Sequence, residues 1–282
     1  MGQLIYNWIR LWCLRDGGFH IDANGFLVRS EYFKDTVEFE SIANTPCLVL
    51  LGEPGIGKSS ALKDAVKFVS MTVGDDKCFY LDLRSFGSEP RLYDAIFKNK
   101  EIQEWISGTH RLHLFLDSFD ECLLRVDTVA TLLVDELKPE KYPINRLSFR
   151  IASRTAEFPR GLENHLRETW GGKENFQVYE LCPLQIVDVW EAAGVNNISP
   201  EEFFKEVVAK NAGTLAARPI TLRFLLNLYK KNNRFPDKLT ELYEQGCRVL
   251  CDEQNEERRT SGILKGSLTA NQRLIIAARI AA

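Results

Sequence analysis

Leu48-Val49-Leu50-Leu51-Gly52-Glu53-Pro54-Gly55-Ile56-Gly57-Lys58-Ser59-Ser60 decides the fold. It reads as a buried strand, a glycine-rich loop and the first turn of a helix. Leu48–Leu51 is apolar throughout, as a central parallel strand covered on both faces should be. Ala61, Leu62, Ala65, Val66 and Val69 then recur at helical spacing. Between strand and helix the chain fits G-x-x-x-x-G-K-[ST] at Gly52, Gly57, Lys58 and Ser59. Successive backbone N–H groups at a helix start make a concave site for anions. Gly52, Gly55 and Gly57 let the backbone turn and approach phosphates closely. Gly52, Glu53, Pro54, Gly55, Ile56, Gly57, Lys58, Ser59 and Ser60 are therefore the candidate phosphate cradle. Lys58 reaches the β- and γ-phosphates of a nucleotide, and the Ser59 hydroxyl takes one position on Mg²⁺.

Working outward, strands and helices alternate from about Pro46 to Leu181. Strands are predicted at 48–51, 79–83, 112–117, 148–152 and 176–181, with helices such as 91–97 and 126–137 between them. Alternation of this kind implies a parallel sheet flanked by helices. From Leu184 strand signals vanish and helix signals follow one another. Leu184–Ala193 ends at Gly194. Ser199-Pro200-Glu201-Glu202 carries an N-cap serine, a first-position proline and a capping-box glutamate, opening a helix that runs toward Gly213. Pro219 opens the next helix, and Asp237 caps 238–250. The fold class is thus α/β, a P-loop sheet followed by a small all-α domain. The expected divisions are a lead-in over 1–45, a nucleotide-binding domain over 46–183 and a helical domain over 184–265. Residues 266–282 start a further domain whose helix stops in mid-pattern, so the chain is expected to be part of a longer protein.

Composition narrows the classes. The 282 residues are 45% hydrophobic and 27% charged, ordinary for a globular chain, and the net charge is -3. That balance argues against a basic nucleic-acid binder, and pairs such as Arg258-Arg259 and Lys230-Lys231 read as solvated surface. No apolar run reaches membrane-span length. Residues 4–14 are apolar and aromatic, but no cleavage site follows them and Tyr6 breaks a myristoylation pattern. The seven cysteines form no C-x-x-C pair, which fits a reducing cytoplasm. Cys47, Cys78 and Cys182 read as small core residues, and Cys247/Cys251 as half a metal site that nothing completes.

The second decisive stretch is Leu112-His113-Leu114-Phe115-Leu116-Asp117-Ser118-Phe119-Asp120-Glu121. An apolar strand ends in Asp117, the arrangement that holds Mg²⁺ in P-loop enzymes. Small Ser118 follows, and acids recur at Asp120 and Glu121. This D-[GAS]-h-D-E pattern, with Gly-Glu-Pro-Gly-Ile-Gly-Lys-Ser-Ser, resembles the NACHT family of STAND ATPases. Ile151-Ala152-Ser153-Arg154 is similar to its sensor strand, in which an arginine faces the γ-phosphate. Leu181-Cys182-Pro183-Leu184 is similar to its junction into the helical domain. Arg218-Pro219-Ile220 is similar to the proline motif that packs near adenine. Trp12-Cys13-Leu14-Arg15 with Asn24-Gly25-Phe26-Leu27 looks like the lead-in of bacterial members, some of them antiphage defence proteins.

The resemblance implies a nucleotide-controlled switch that hydrolyses ATP slowly to ADP. The full-length protein is then expected to self-oligomerise on an unknown trigger ligand, in signalling or defence. Asp117 and Ser59 are the implied Mg²⁺ residues, Glu121 the implied base with Asp120 beside it, Arg154 the sensor and Pro219 the base-side contact. The alternatives are a non-hydrolysing ADP-binding scaffold and a nucleic-acid-dependent motor.

Overall fold

The protein is described here by a computed structural model that covers residues 8–29, 35–251 and 268–281. Arg258-Arg259, Tyr6 and the segment around residue 260 lie outside the described residues. Two compact units form: Leu27–Pro183 with the chain before Ala23, and the chain from Leu184 with Ala23–Phe26.

The first unit is built on a seven-stranded sheet. Its strands are β1 (Leu11–Leu14), β2 (Thr36–Glu38), β3 (Cys47–Leu51), β4 (Lys77–Asp82), β5 (Leu112–Asp117), β6 (Leu147–Ser153) and β7 (Phe176–Leu181). The spatial order is β2-β1-β7-β3-β6-β5-β4. β3 to β7 run parallel, so their carboxyl ends share one edge. β1 and β2 add to the sheet in antiparallel register, with Trp12 opposite Leu181 and Leu11 opposite Glu38. Leu11–Leu14 of the aromatic lead-in are therefore sheet.

Helices cover both faces because the central strands are apolar on both. α1 (Phe39–Ile42) and α2 (Lys58–Thr72) lie on one side. There Leu62, Ala65 and Val69 pack with Leu48, Leu50, Phe115 and Trp12. α3 (Glu89–Phe97), α4 (Lys100–Ser107), α5 (Val126–Glu136) and α6 (Arg160–Trp170) supply the other side, with the short α7 (Gly172–Asn175) before β7. There Ile96, Trp105, Leu133 and Leu166 pack with Val49, Leu114 and Phe149.

One polar residue in this core has no sequence precedent. Arg150, in the middle of β6, is 0% exposed. It donates to the carbonyls of Ala43 and Pro46, the first of which terminates α1. A cation is tolerated there because it satisfies carbonyls that would otherwise be orphaned. Burial pulls its pKa down to about 10.

The second unit is helical in its described residues: α8 (Ile186–Val195), α9 (Pro200–Ala209), α10 (Gly213–Ala216), α11 (Pro219–Asn232), α12 (Leu239–Cys251) and α13 (Ala270–Ala281). Ser199 caps α9 by accepting from Glu202 N at 3.5 Å, and Gln185 with Asp188 boxes the start of α8. α9 stops at Ala209, earlier than the sequence pattern suggests, because Asn211 takes a left-handed conformation with φ of 48°. Phe203, Tyr229 and Phe235 meet edge to face at 5.3–5.7 Å. Phe26, from the N-terminal insert, packs on Phe204 at 5.8 Å.

Candidate functional site

Strand order sets the site. β6 lies between the strand that feeds the glycine loop, β3, and the strand that ends in Asp117, β5. The residues just past β6, Ser153 and Arg154, are thus delivered between the loop and the acids.

The loop has the backbone its glycines demand. Gly55 and Gly57 have φ of 74° and 98°, and Gly57 is the N-cap of α2. α2 begins at Lys58, so Lys58, Ser59 and Ser60 form its first turn, where N–H groups have no helical partner. Glu53 and Pro54 are exposed at the loop tip, and Ile56 is buried beneath it. The Lys58 ammonium folds back to donate to the carbonyls of Gly52 and Glu53. Its pKa is held below the usual lysine value, by burial first; Asp120, Glu121 and Asp117 oppose that, and Arg154 adds to it. Lys58 therefore sits in the field of Asp117, Asp120 and Glu121 from the second motif and of Arg154 after β6.

Those four are not equivalent. Asp117 is 1% exposed, and its Oδ2 accepts from the Tyr80 hydroxyl at 2.8 Å. Burial, then the Asp117 charge, pushes the Tyr80 pKa up, so Tyr80 stays a donor. Asp117 Oδ1 accepts no bond from a described protein group. A buried carboxylate with one oxygen fixed and one left over suits the water shell of a hard divalent cation. Ser118 then takes a left-handed conformation, φ 59° and ψ 42°, which turns the chain at once into a 3₁₀ turn over Phe119–Glu121. That conformation is uncommon for a residue other than glycine and excludes a β-branched side chain there.

The turn separates the two acids. Asp120 points inward with its side chain 3% exposed. Its Oδ1 accepts from Arg154 N at 2.8 Å and Ser153 Oγ at 3.3 Å. Its Oδ2 lies 3.0 Å from Arg154 Nε, an ion pair without hydrogen-bond alignment. Glu121 is about one-third exposed, and its Oε1 accepts from Arg154 Nη2 at 3.3 Å. The sequence treats Asp120 and Glu121 as a pair; the fold makes Asp120 a strap between two strand ends and leaves Glu121 at the surface of the cleft. Arg154 is gripped by both.

Two residues at this edge carry no sequence signal as site residues. Tyr80 fixes Asp117 from the next strand. Arg84 clamps Asp82, whose Cα lies opposite Asp117, with Nε at 2.9 and 3.0 Å from the two carboxylate oxygens. Only knowledge of the strand pairing finds either one. Pro219 lies in the second unit at the first position of α11, where a missing N–H costs nothing. Among the described residues no cluster of three or more His, Cys, Asp or Glu could hold a metal by itself. Among the described residues six cysteines, Cys247 among them, are free. No described helix is long and apolar enough to cross a membrane.

A strand–glycine loop–helix cradle beside a buried aspartate, at the carboxyl edge of a mostly parallel sheet flanked by helices, is the P-loop NTPase fold. The sequence matches no protein-family model and no curated protein. Among solved structures, the chain is similar to the Thermotoga maritima RuvB Holliday junction branch migration motor. Identity is 13%, over 83% of this chain and 74% of that one, with a TM-score of 0.40. It is similar to Cdc6p from Pyrobaculum aerophilum at 15% identity, over 67% and 57%, with a TM-score of 0.44. Domain III of the Thermotoga maritima replication initiation protein DnaA matches at 17% identity, over 73% and 85%, with a TM-score of 0.41.

Proposed function

We propose that this chain is a P-loop ATPase module of the NACHT/STAND type, which binds adenine nucleotide with Mg²⁺ and uses slow hydrolysis as a switch. The observation that carries the reading is the convergence at one sheet edge of the glycine loop with Lys58, the buried Asp117, and Asp120 and Glu121 on Arg154. The first turn of α2 and Lys58 hold the phosphates. Ser59 and Asp117 hold Mg²⁺, which supplies charge neutralisation when bound. Glu121, the more exposed acid, orients or deprotonates the attacking water. Asp120 sets the position of Arg154.

The Arg154 geometry supports a switch. Its guanidinium engages Glu121, and a γ-phosphate is a stronger competitor for it than a carboxylate one-third exposed. Moving a population from 1:99 to 99:1 needs about 5.5 kcal/mol of differential binding. A few charge-assisted hydrogen bonds of roughly 1.5–3 kcal/mol each supply that. Self-association of the full-length protein on a trigger ligand, in signalling or defence, belongs to the same reading. The competing reading is an ADP-holding scaffold that does not hydrolyse, favoured by Glu121 being tied to Arg154.

Thermal melts and single-turnover assays separate the two. Nucleotide at ~100 times its dissociation constant stabilises the wild type by about 2.7 kcal/mol, and Lys58→Ala loses that shift. Glu121→Gln keeps the shift but slows turnover about 10²-fold or more, because an amide accepts no proton. Absence of any shift with ATP or ADP in folded protein rejects nucleotide binding. Equal, negligible turnover in wild type and Glu121→Gln leaves the scaffold.

A further inference from the structure

The parallel strands have a second edge. β3, β5, β6 and β7 all start there, so the residues just before them converge: Pro46, Arg111, Asn145 and Asn175. With Tyr142 and Trp170 they line a cavity of ≈ 470 Å³ on the side opposite the glycine loop. That volume lies within the range of small-molecule sites.

Its aromatic walls are held from behind. Trp170 Nε1 donates to Leu147 O at 3.3 Å, and the indole stacks on Phe149 at 5.7 Å. Tyr142 stacks on Phe97 and Trp105 at 5.5 and 6.4 Å. Its charge is one-sided. No acidic residue lines the cavity. The Arg111 guanidinium has one hydrogen bond, to Ser148 Oγ at 3.5 Å, and no ion pair among the described residues. The neighbouring Asp76 is engaged by the Arg111 backbone N–H at 2.8 Å and lies outside the lining. Behind the Pro46 wall sits Arg150, fully buried, its Nη1 3.4 Å from Pro46 O and with no carboxylate partner.

We propose that this cavity is a second ligand site, independent of the phosphate loop, for a small anion that carries a flat ring. Arg111 takes its phosphate or carboxylate, and Tyr142 and Trp170 supply the aromatic walls for the ring. Asn145 offers its amide to ring substituents, and Asn175, whose Nδ2 donates to Trp170 O at 3.2 Å, offers its Oδ1. A nucleoside monophosphate and an aromatic carboxylate share this chemistry.

The test uses the full chain carrying Lys58→Ala, so that the phosphate loop does not contribute. AMP, benzoate and inorganic phosphate are titrated by calorimetry. AMP or benzoate is expected to saturate below ~1 mM, at least about tenfold more tightly than phosphate. Which of the two saturates identifies the source. Arg111→Gln weakens it by about tenfold or more, the loss of one charge-assisted contact. Asn145→Trp, which fills the mouth from an exposed position, does the same without touching Arg111. The proposal is overturned if neither ring-bearing anion saturates by ~5 mM, if phosphate binds as tightly, or if both variants bind unchanged. Any of these outcomes leaves the Lys58-dependent nucleotide reading standing.

Discussion

Asp120 and Glu121 are adjacent in sequence and opposite in consequence. Asp120→Ala strands the Arg154 N–H and the Ser153 hydroxyl and frees Arg154 from its buried partner. The expected cost is about 1–3 kcal/mol of stability, read as a lowered denaturant midpoint. Glu121→Gln, at a partly exposed position with one bond, stays within about 0.5 kcal/mol. Equal losses would show that Asp120 is not the strap. His113 gives a pH signature. Burial, then the Arg150 charge, pushes its pKa down to about 4 from 6.5. Between those values the unfolded chain binds a proton that the folded chain refuses. Stability is therefore full above about pH 6.5 and falls as pH drops toward 4. Denaturation at pH 7 and 4.5 is expected to show a loss smaller by roughly 2–3 kcal/mol in His113→Leu than in wild type. Local patterns place Lys58 and Ser59 at the start of α2 and Asp117 at the end of β5: a strand–loop–helix for the first two, an apolar strand ending in an acid for the third. Arg154's grip on both acids has no such local pattern, since it depends on β6 lying between β3 and β5.

At the scale of elements, the central strands read correctly because burial on both faces leaves an unbroken apolar run. β1 and β2 did not. They are four and three residues long. Their pairing is antiparallel to a distant strand, and Trp12 is as much at home in a packed segment as in a strand. Arg150 also escaped notice, because a charged residue in a strand reads as a solvent-facing position. What buries it is the end of α1, a four-residue helix with no pattern of its own. A sharper case is Gly213 at the start of α10. A methyl group there would lie 2.2 Å from the Asn24 carbonyl oxygen, a backbone atom that cannot swing aside. Gly213→Ala is thus expected to cost on the order of 1–3 kcal/mol and to loosen residues 23–26. Hydrogen exchange at Gly25 and Phe26 measures it, and unchanged protection there would refute the packing role.

For the molecule as a whole, the sequence passes from one compact unit to the other between Pro183 and Leu184, where strand signals cease. The loan of Ala23–Phe26 to the second unit leaves no such signal, because no local pattern marks a contact with a helix some 190 positions away. The loan makes the polypeptide cross from one unit to the other after Asp22, back after Phe26 and over again after Pro183. A single protease cut engineered between Pro183 and Leu184 is therefore expected to leave both pieces co-eluting on gel filtration. Phe26 is 0% exposed, and a methyl group added at half-buried Gly25 would lie 2.9 Å from Thr214 Cγ2. Separation of the pieces after the cut would show that the insert binds weakly. The triple crossing also changes the mechanics. Three connections, at Asp22, Phe26 and Pro183, share any load carried along the chain. Two of the three connections sit between Ile21 and Leu27, which pair as an isolated bridge, and the strand before them, β1, abuts β7, the neighbour of β3. Within the first unit, tension on the chain at Asp22 or Leu27 therefore falls on the β1–β7 pairing, one strand away from the strand that carries the glycine loop.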